Sequence, residues 1–142
     1  GVQVGMTNTL NTPIEALELE YPLRVDRYGL RPDSGGAGEF RGGLGIERSL
    51  TVEVDAVVSL LTERRRTAPA GLAGGESGAT GANIVDGEVV PAKTTREVDA
   101  GTSVTIRTPG GGGYGHPADR ERSAFERDRR EDKVRDPSRS EE

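Results

Sequence analysis

Residues 103–115 read Ser103-Val104-Thr105-Ile106-Arg107-Thr108-Pro109-Gly110-Gly111-Gly112-Gly113-Tyr114-Gly115. Residues 103–108 alternate polar and apolar side chains with a period of two, which predicts a β-strand. The four glycines that follow carry no side chain, so their backbone can turn sharply or lie directly against another segment. A strand that leads into a glycine run predicts a β-rich fold whose loops pack closely.

The rest of the chain repeats this combination of strand patterns and glycine clusters. It contains 21 glycines in 142 residues, and they gather in tight groups instead of recurring every third residue as in collagen. Apolar and alternating runs predict strands at residues 2–6, 21–31, 46–54 and 56–61, the last buried on both faces, and a hairpin at 83–90 turning at Asp86-Gly87. The predicted fold class is therefore mainly β, with antiparallel strands, glycine-rich loops and α+β character only at the margins.

Two helices are predicted at those margins. Thr12 and Glu15 have the spacing of a capping box, and Pro13 between them suits the first helical position, so a short capped helix should run from Pro13 to about Glu18. Charge dominates from Asp119 onward. We therefore divide the chain into a β-rich region, residues 1–118, and a charged helical or disordered tail, residues 119–142, which should be dispensable for folding.

Composition excludes several functions. The formal net charge of -5 disfavours nucleic-acid binding, and no apolar run is long enough to suggest a membrane span. The chain has no cysteine and one histidine, His116, so neither a disulfide framework nor a metal site is expected in this segment. No signal peptide is recognisable, and we expect a cytoplasmic protein.

Three arginines are candidates for binding an anionic substrate or product. Arg41 follows a glycine cluster, while Arg64 and Arg65 follow the apolar run at residues 56–61. A guanidinium group binds carboxylate or phosphate through two parallel hydrogen bonds. The alternative for each is an ordinary surface ion pair.

The glycine run is a second candidate for anion binding. Consecutive amides of Gly110, Gly111, Gly112 and Gly113 could form a concavity for an anion. No Gly-Lys-Ser/Thr follows, so the run is not a Walker nucleotide loop. The alternative, which we favour, is that the loop packs its backbone against another segment.

Polar residues near the N-terminus complete the candidate set. Glu15 could orient water or a ring nitrogen in an active site, although its capping role already explains the spacing and is favoured. Asn8 and Asn11 could bind a substrate carboxylate or imide, because an amide both donates and accepts hydrogen bonds. They could equally be turn residues.

Five blocks of sequence occur in a recognisable order. They are Met6-Thr7-Asn8-Thr9-x-Asn11-Thr12-Pro13-x-Glu15-x-Leu17-Glu18 with Tyr21-Pro22-Leu23; Ser34-Gly35-Gly36-Ala37-Gly38-x-x-Arg41-Gly42-Gly43-x-Gly45; Glu63-Arg64-Arg65; Gly71-Leu72-x-Gly74-Gly75; and Thr108-Pro109-Gly110-Gly111-Gly112-Gly113-Tyr114-Gly115. In this combination, the chain from Val2 to Pro117 resembles the C-terminal portion of hydantoinase B/oxoprolinase subunits. That family also includes a relative, the acetone carboxylase large subunit.

The resemblance implies an enzyme component. In such systems an A-type subunit binds ATP and phosphorylates a cyclic amide, and the B-type subunit completes ring opening of 5-oxoproline or an N-substituted hydantoin. The expected partners are therefore the A-type subunit and the N-terminal part of the B-type subunit, which this chain lacks. ATP and a divalent metal are expected in the complete enzyme and no cofactor in this segment, which alone should be inactive.

Two alternatives remain open from the sequence. The chain could be a non-catalytic assembly module or gene remnant of that family. It could also belong to a carboxylase-type relative, with the same architecture and different chemistry.

Overall fold

A computed structural model describes residues 12–135 of the chain. Within this range lie two α-helices, α1 (Ile14–Glu20) and α2 (Arg122–Arg130), and a 3-10 turn at Pro117–Asp119. The seven strands are β1 (Leu23–Leu30), β2 (Ile46–Val52), β3 (Ala56–Leu61), β4 (Ala82–Val85), β5 (Glu88–Val90), β6 (Lys93–Val98) and β7 (Ser103–Arg107). The strand predicted at residues 2–6 lies outside the described residues.

The strands form two antiparallel sheets. The larger sheet has the order β1-β2-β7-β4-β5, and the smaller one pairs β3 with β6. Strand β7 occupies the centre of the larger sheet and delivers the chain into the glycine run. The prediction of a mainly β fold with antiparallel strands is confirmed.

The hydrophobic core is contributed by both sheets. Its buried members are Val52, Val85, Val90 and Val104 from the larger sheet and Leu60 and Val98 from the smaller one. Branched aliphatic side chains suit this place because they pack well on a pleated surface. The core therefore fastens the two sheets to each other.

The predicted hairpin is present as β4 and β5. Asp86 and Gly87 form its turn with φ values of 47° and 81°, and Val85 pairs with Glu88 across it. Two consecutive positive φ angles are those of a type I′ turn, whose twist matches that of the flanking strands. Aspartate and glycine tolerate this conformation better than most residues, which is why the dipeptide was informative.

The prediction that residues 56–61 are buried on both faces is wrong. Strand β3 pairs only with β6, and Val57 and Leu61 are 64% and 82% exposed. Only Leu60 on this strand is fully buried. An apolar run predicts burial on both faces only where layers cover both sides, and the described part of the chain covers one.

The predicted capping box is also wrong. The N-cap of α1 is Pro13, whose ψ of 140° is extended, and no side-chain cap hydrogen bond forms there. The helix begins at Ile14, one residue later than predicted, so Thr12 is too far out to cap it. Glu15 lies exposed in the first turn, where a carboxylate still interacts favourably with the helix dipole.

The charged C-terminal helix is present as α2, and the described part of residues 119–142, which we expected to be dispensable for folding, packs against the rest of the chain. Asp128 on α2 is only 4% exposed and binds Arg41 and Arg120. Further along, the amide of Asp33 donates to the carbonyl of Lys133 at 3.1 Å. A charged helix therefore docks through a buried ion-pair cluster in place of an apolar face.

Candidate functional site

The glycine clusters come together in one structure, which we call the glycine bundle and define as residues 34–43, 69–79 and 110–115. Its segments are joined by backbone hydrogen bonds although they form no regular sheet. The amide of Gly36 donates to the carbonyl of Gly111 at 2.9 Å, and the amide of Gly111 donates to Gly43 at 2.8 Å. The amide of Gly113 donates to the carbonyl of Glu76 at 2.8 Å, so the run that follows β7 is bonded to both of the other segments.

Close backbone approach explains the glycines of this run. A Cβ atom on Gly110 would lie 1.6 Å from the carbonyl oxygen of Ser34, and one on Gly112 would lie 2.0 Å from that of Ala70. Real Cβ atoms do not approach other atoms so closely. The packing interpretation of the glycine run is thus the one that the geometry favours.

Most amides of the run are already engaged within the chain. Gly110 donates to Ala79 at 3.0 Å, Gly111 to Gly43, and Gly113 to Glu76 at 2.8 Å. An anion-binding concavity needs several amides directed at one ligand. With three of the four committed to carbonyls, Gly112 alone would be left to serve an anion.

Arg41 connects the glycine bundle to α2. Its Nε donates to Asp128 at 2.8 Å and its Nη1 to the carbonyl of Gly42 at 2.6 Å. Burial would raise the pKa of Asp128, but the hydrogen bond from Arg41 and the charges of Arg41 and Arg120 outweigh it, so the pKa of this carboxyl is lowered. The cluster therefore holds an anion between two cations at neutral pH.

Arg64 is exposed and has a left-handed backbone, with φ of 59°. Its carbonyl accepts a hydrogen bond from the amide of Gly81 at 2.9 Å. Its side chain makes no hydrogen bond within residues 12–135. The expectation that Arg64 lies at the end of a strand buried on both faces is wrong, because β3 ends at Leu61 and one of its faces is exposed. The guanidinium group of Arg64 remains accessible.

Arg65 is engaged with β4 through a residue that the sequence analysis missed. Its Nη2 and Nε donate to Asn83 Oδ1 at 2.8 and 3.2 Å, and Asn83 Nδ2 donates to Thr62 at 2.8 Å. Asn83 is fully buried, so these bonds satisfy an amide that would otherwise be costly to bury. An asparagine at an inward position of an otherwise apolar strand was the available signal.

The candidate residues thus serve different parts of the fold. Arg41 binds α2, Arg65 binds β4, and Glu15 lies exposed on α1. Asn8 and Asn11 lie outside the described residues. The candidates with described contacts have structural partners, and no single cluster of them is formed.

The donor set of this region does not fit the cofactors expected in the complete enzyme. Among residues 12–135, no group of three or more His, Asp and Glu side chains could hold a metal ion. His116 is exposed and stands against Gly74, where a Cβ atom would lie 2.8 Å from its ring. The engaged amides of the glycine run likewise do not form a phosphate cradle for ATP. In the same range, neither α-helix is long and apolar enough to cross a membrane.

The chain belongs to a class of β protein in which two sheets and a glycine bundle are flanked by short helices. Comparison with known proteins identifies the family. The family model for hydantoinase B/oxoprolinase matches residues 1–117. The chain belongs to this family.

Similar proteins are found in distant organisms. An uncharacterised protein of Methanocaldococcus jannaschii is 46% identical over 129 residues, which are 88% of this chain and 23% of that protein. A 5-oxoprolinase of Arabidopsis thaliana is 44% identical over 120 residues, which are 81% of this chain and 10% of that protein. The chain therefore spans between about a tenth and a quarter of the length of these relatives.

Two solved structures have the same fold over 87% of this chain. The ATP-dependent caprolactamase of Pseudomonas jessenii has a TM-score of 0.75 and 34% identity, and 23% of that chain is covered. Acetone carboxylase has a TM-score of 0.67, with 21% of that chain covered. At 20% identity, the second likeness concerns the fold alone.

Proposed function

We propose that this chain is the C-terminal part of a subunit of an ATP-dependent cyclic-amide hydrolase that opens 5-oxoproline or an N-substituted hydantoin. The observation that carries the proposal is the family match over residues 1–117. It is supported by likeness to proteins described as a 5-oxoprolinase and an ATP-dependent caprolactamase. The working enzyme would include an ATP-binding A-type subunit and the N-terminal part of the B-type subunit.

Within that enzyme, residues 12–135 would act as a rigid frame. The glycine bundle fixes backbone segments by direct contact, and the Arg41–Asp128–Arg120 cluster fixes α2 beside it. The divalent metal would be held by other parts of the enzyme, because no group of three or more His, Asp and Glu side chains among residues 12–135 could hold one. Precise placement of such groups is a large part of catalysis, so a frame that cannot deform contributes to rate.

The proposal is tested by reconstitution. The chain is co-expressed with an A-type subunit and the N-terminal part of a B-type subunit from one operon, and ATP-coupled opening of 5-oxoproline and N-methylhydantoin is measured. We expect turnover in the three-part complex and none from the 142 residues alone. Turnover by the isolated chain, or a complex that assembles and opens no cyclic amide, would refute the proposal.

A non-catalytic assembly module is the second candidate. The observation that favours it is that Arg41, Arg65 and three amides of the glycine run already have structural partners. If the complex assembles and its turnover is unchanged by substitutions in this chain, the chain is an assembly module. The carboxylase alternative has a likeness of fold alone in its favour. It predicts that the reconstituted complex, given a ketone and bicarbonate in place of a cyclic amide, carboxylates the ketone when ATP is present.

A further inference from the structure

The larger sheet carries a group of arginines that the proposed function does not use. Arg27 on β1, Arg31 just after β1, and Arg107 at the end of β7 surround Glu47 on β2, the strand between them. Together with Asp33 and Arg135 they line a cavity of about 360 Å³. We call this cavity the arginine pocket.

Strand register explains why these side chains meet. Glu47 lies directly opposite Arg107 across β2 and β7, and directly opposite Gly29 across β1 and β2. Residues that are opposite in an antiparallel pair project to the same face, and so do residues two positions apart on one strand. Gly29 carries no side chain and nothing lies within 4 Å of where its Cβ would be, which leaves the face between Arg27 and Arg31 open.

Among the described residues that line the pocket, cations outnumber carboxylates. Glu47 is shared between two cations, with Arg27 Nε at 3.0 Å and Arg107 Nε at 2.6 Å. Arg31 donates only to the carbonyls of Thr80 and Thr108 and forms no ion pair within residues 12–135. Within residues 12–135 the lining therefore carries four arginines and two carboxylates, in a chain whose net charge is -5.

A further cation lies behind Arg31. Arg65 packs against Gly81, the residue next to the Thr80 carbonyl that Arg31 binds. Burial and the charge of Arg107 lower the pKa of Arg31 by more than the charge of Glu47 raises it, and burial and the charge of Arg31 lower the pKa of Arg65. Both guanidinium groups remain protonated at neutral pH, so two positive charges that form no ion pair within residues 12–135 are held in a partly desolvated place.

We propose that the arginine pocket binds a small oxyanion, a phosphate or carboxylate group, with Arg31 as the principal contact and with Arg27 and Arg107 at its sides. A planar guanidinium group suits oxyanions geometrically, and charge-assisted hydrogen bonds are the stronger kind. Partial burial lessens the screening of the charges by water. The inference goes beyond the proposed function, because binding requires no ATP, no partner subunit and no turnover.

The test is a titration of the full chain with inorganic phosphate at low ionic strength, followed by NMR of the arginine Nε–H groups. We expect saturable shifts at Arg31 and Arg107 with a Kd of about 1 mM. A parallel titration with L-glutamate distinguishes the sources, because binding of phosphate alone indicates a phosphoryl ligand and binding of both indicates any oxyanion. No saturable shift with either probe overturns the proposal.

Two variants and one control sharpen the test. Arg31→Gln removes the charge but retains donors for the Thr80 and Thr108 carbonyls, and should weaken binding about tenfold. Glu47→Gln releases Arg27 and Arg107 from their shared carboxylate and should strengthen binding. This variant tests the proposal even if Arg31→Gln fails to fold. Arg24→Gln, on β1 outside the arginine pocket and with its side chain 60% exposed, should leave binding unchanged. Weaker binding by Glu47→Gln, or equal weakening by Arg24→Gln and Arg31→Gln, overturns the proposal.

Discussion

The two-sheet core and the glycine bundle are held together by opposite means. The core buries valine and leucine side chains between two sheets, with Val104 only 2% exposed. The bundle instead brings backbone against backbone, so that a Cβ on Gly36, Gly42 or Gly113 would lie 2.1 Å from a carbonyl oxygen. One region depends on the side chains it contains and the other on the side chains it lacks.

This difference predicts different tolerance to substitution. A core of aliphatic side chains accepts exchanges of similar volume at modest cost. A backbone contact accepts no added atom, because the groups that would have to move are part of the chain and are hydrogen-bonded. The bundle should therefore be the more sensitive region although it buries little apolar surface, and four kinds of substitution test this expectation.

The largest effect is expected at Gly110. Gly110→Ala places a methyl group 1.6 Å from the Ser34 carbonyl oxygen. For it to fit, the hydrogen bonds from the Gly110 amide to the Ala79 carbonyl and from the Ala79 amide to the Ser34 carbonyl must break. We expect a loss of more than about 4 kcal/mol, enough to prevent folding of a marginally stable chain. Soluble yield and circular dichroism measure it.

Gly29→Ala is the matched control for that substitution. Gly29 is within β1, its added Cβ would meet nothing within 4 Å, and alanine reduces the freedom of the unfolded chain. We expect the free energy of unfolding to change by less than about 0.5 kcal/mol. If the two alanine variants are equally stable, the glycine bundle does not owe its cohesion to close backbone contact.

The next largest effect is expected at Asp128, which joins α2 to the bundle. Asp128→Asn removes the anion between Arg41 and Arg120, whose side chains are only 18% and 15% exposed. Leaving two partly buried cations without a counter-charge should cost about 2–3 kcal/mol in chemical denaturation. Deletion of residues 119–142 should cost at least as much, whereas Glu126→Gln, on the exposed face of α2, should have little effect.

Acid provides a second measurement of Asp128. Its pKa is lowered in the folded chain, so its contribution is complete above the unfolded pKa of about 3.9 and is lost as pH falls through the folded value. The difference in stability between the unmodified chain and Asp128→Asn should therefore be constant near neutrality and shrink below about pH 4. A difference that grows on acidification would contradict the assignment.

Val104→Ala measures the core. Val104 is the most buried apolar side chain of the core cluster, and removing two methyl groups should cost about 2 kcal/mol through lost burial and the cavity left behind. Val57→Ala, whose side chain is 64% exposed on β3, should change stability by less than about 0.5 kcal/mol. The losses of stability in Val104→Ala and Gly110→Ala compare side-chain burial in the core directly with backbone contact in the glycine bundle.

Much of the sheet could be predicted from the sequence because its determinants are local. Period-two alternation indicated β1, β2 and β7, and Asp86-Gly87 indicated the hairpin. Strand β6 was missed because Lys93, Thr94, Thr95, Arg96 and Glu97 are polar or charged on both faces. The exposure of β3 was missed because a run of apolar residues does not reveal how many layers will cover it.

The site was less predictable because its partners are distant in sequence. Arg41 meets Asp128 87 positions further along, and no local pattern encodes that pairing. The glycine clusters could be recognised as a group, but not which carbonyl faces which glycine. Conversely, Thr12 and Glu15 have the spacing of a capping box, but the backbone of Pro13 is extended and the helix begins one residue later, so no cap hydrogen bond forms.

The smallest effect is expected at Glu15, which lies outside both regions. A capping role predicted a loss of about 1 kcal/mol on Glu15→Ala, but the carboxylate is exposed and no side-chain cap bond forms. Only its interaction with the helix dipole remains, so Glu15→Ala and Glu15→Gln should each cost about 0.5 kcal/mol or less. Glu18 on the same helix is the matched control, because its carboxylate accepts the amide of Val25 at 2.7 Å; Glu18→Ala should cost about 1 kcal/mol. If Glu15→Gln is fully stable but lowers turnover of the reconstituted enzyme about a hundredfold, Glu15 acts in the chemistry. If instead Glu15→Ala loses as much stability as Glu18→Ala, Glu15 caps helix α1 after all.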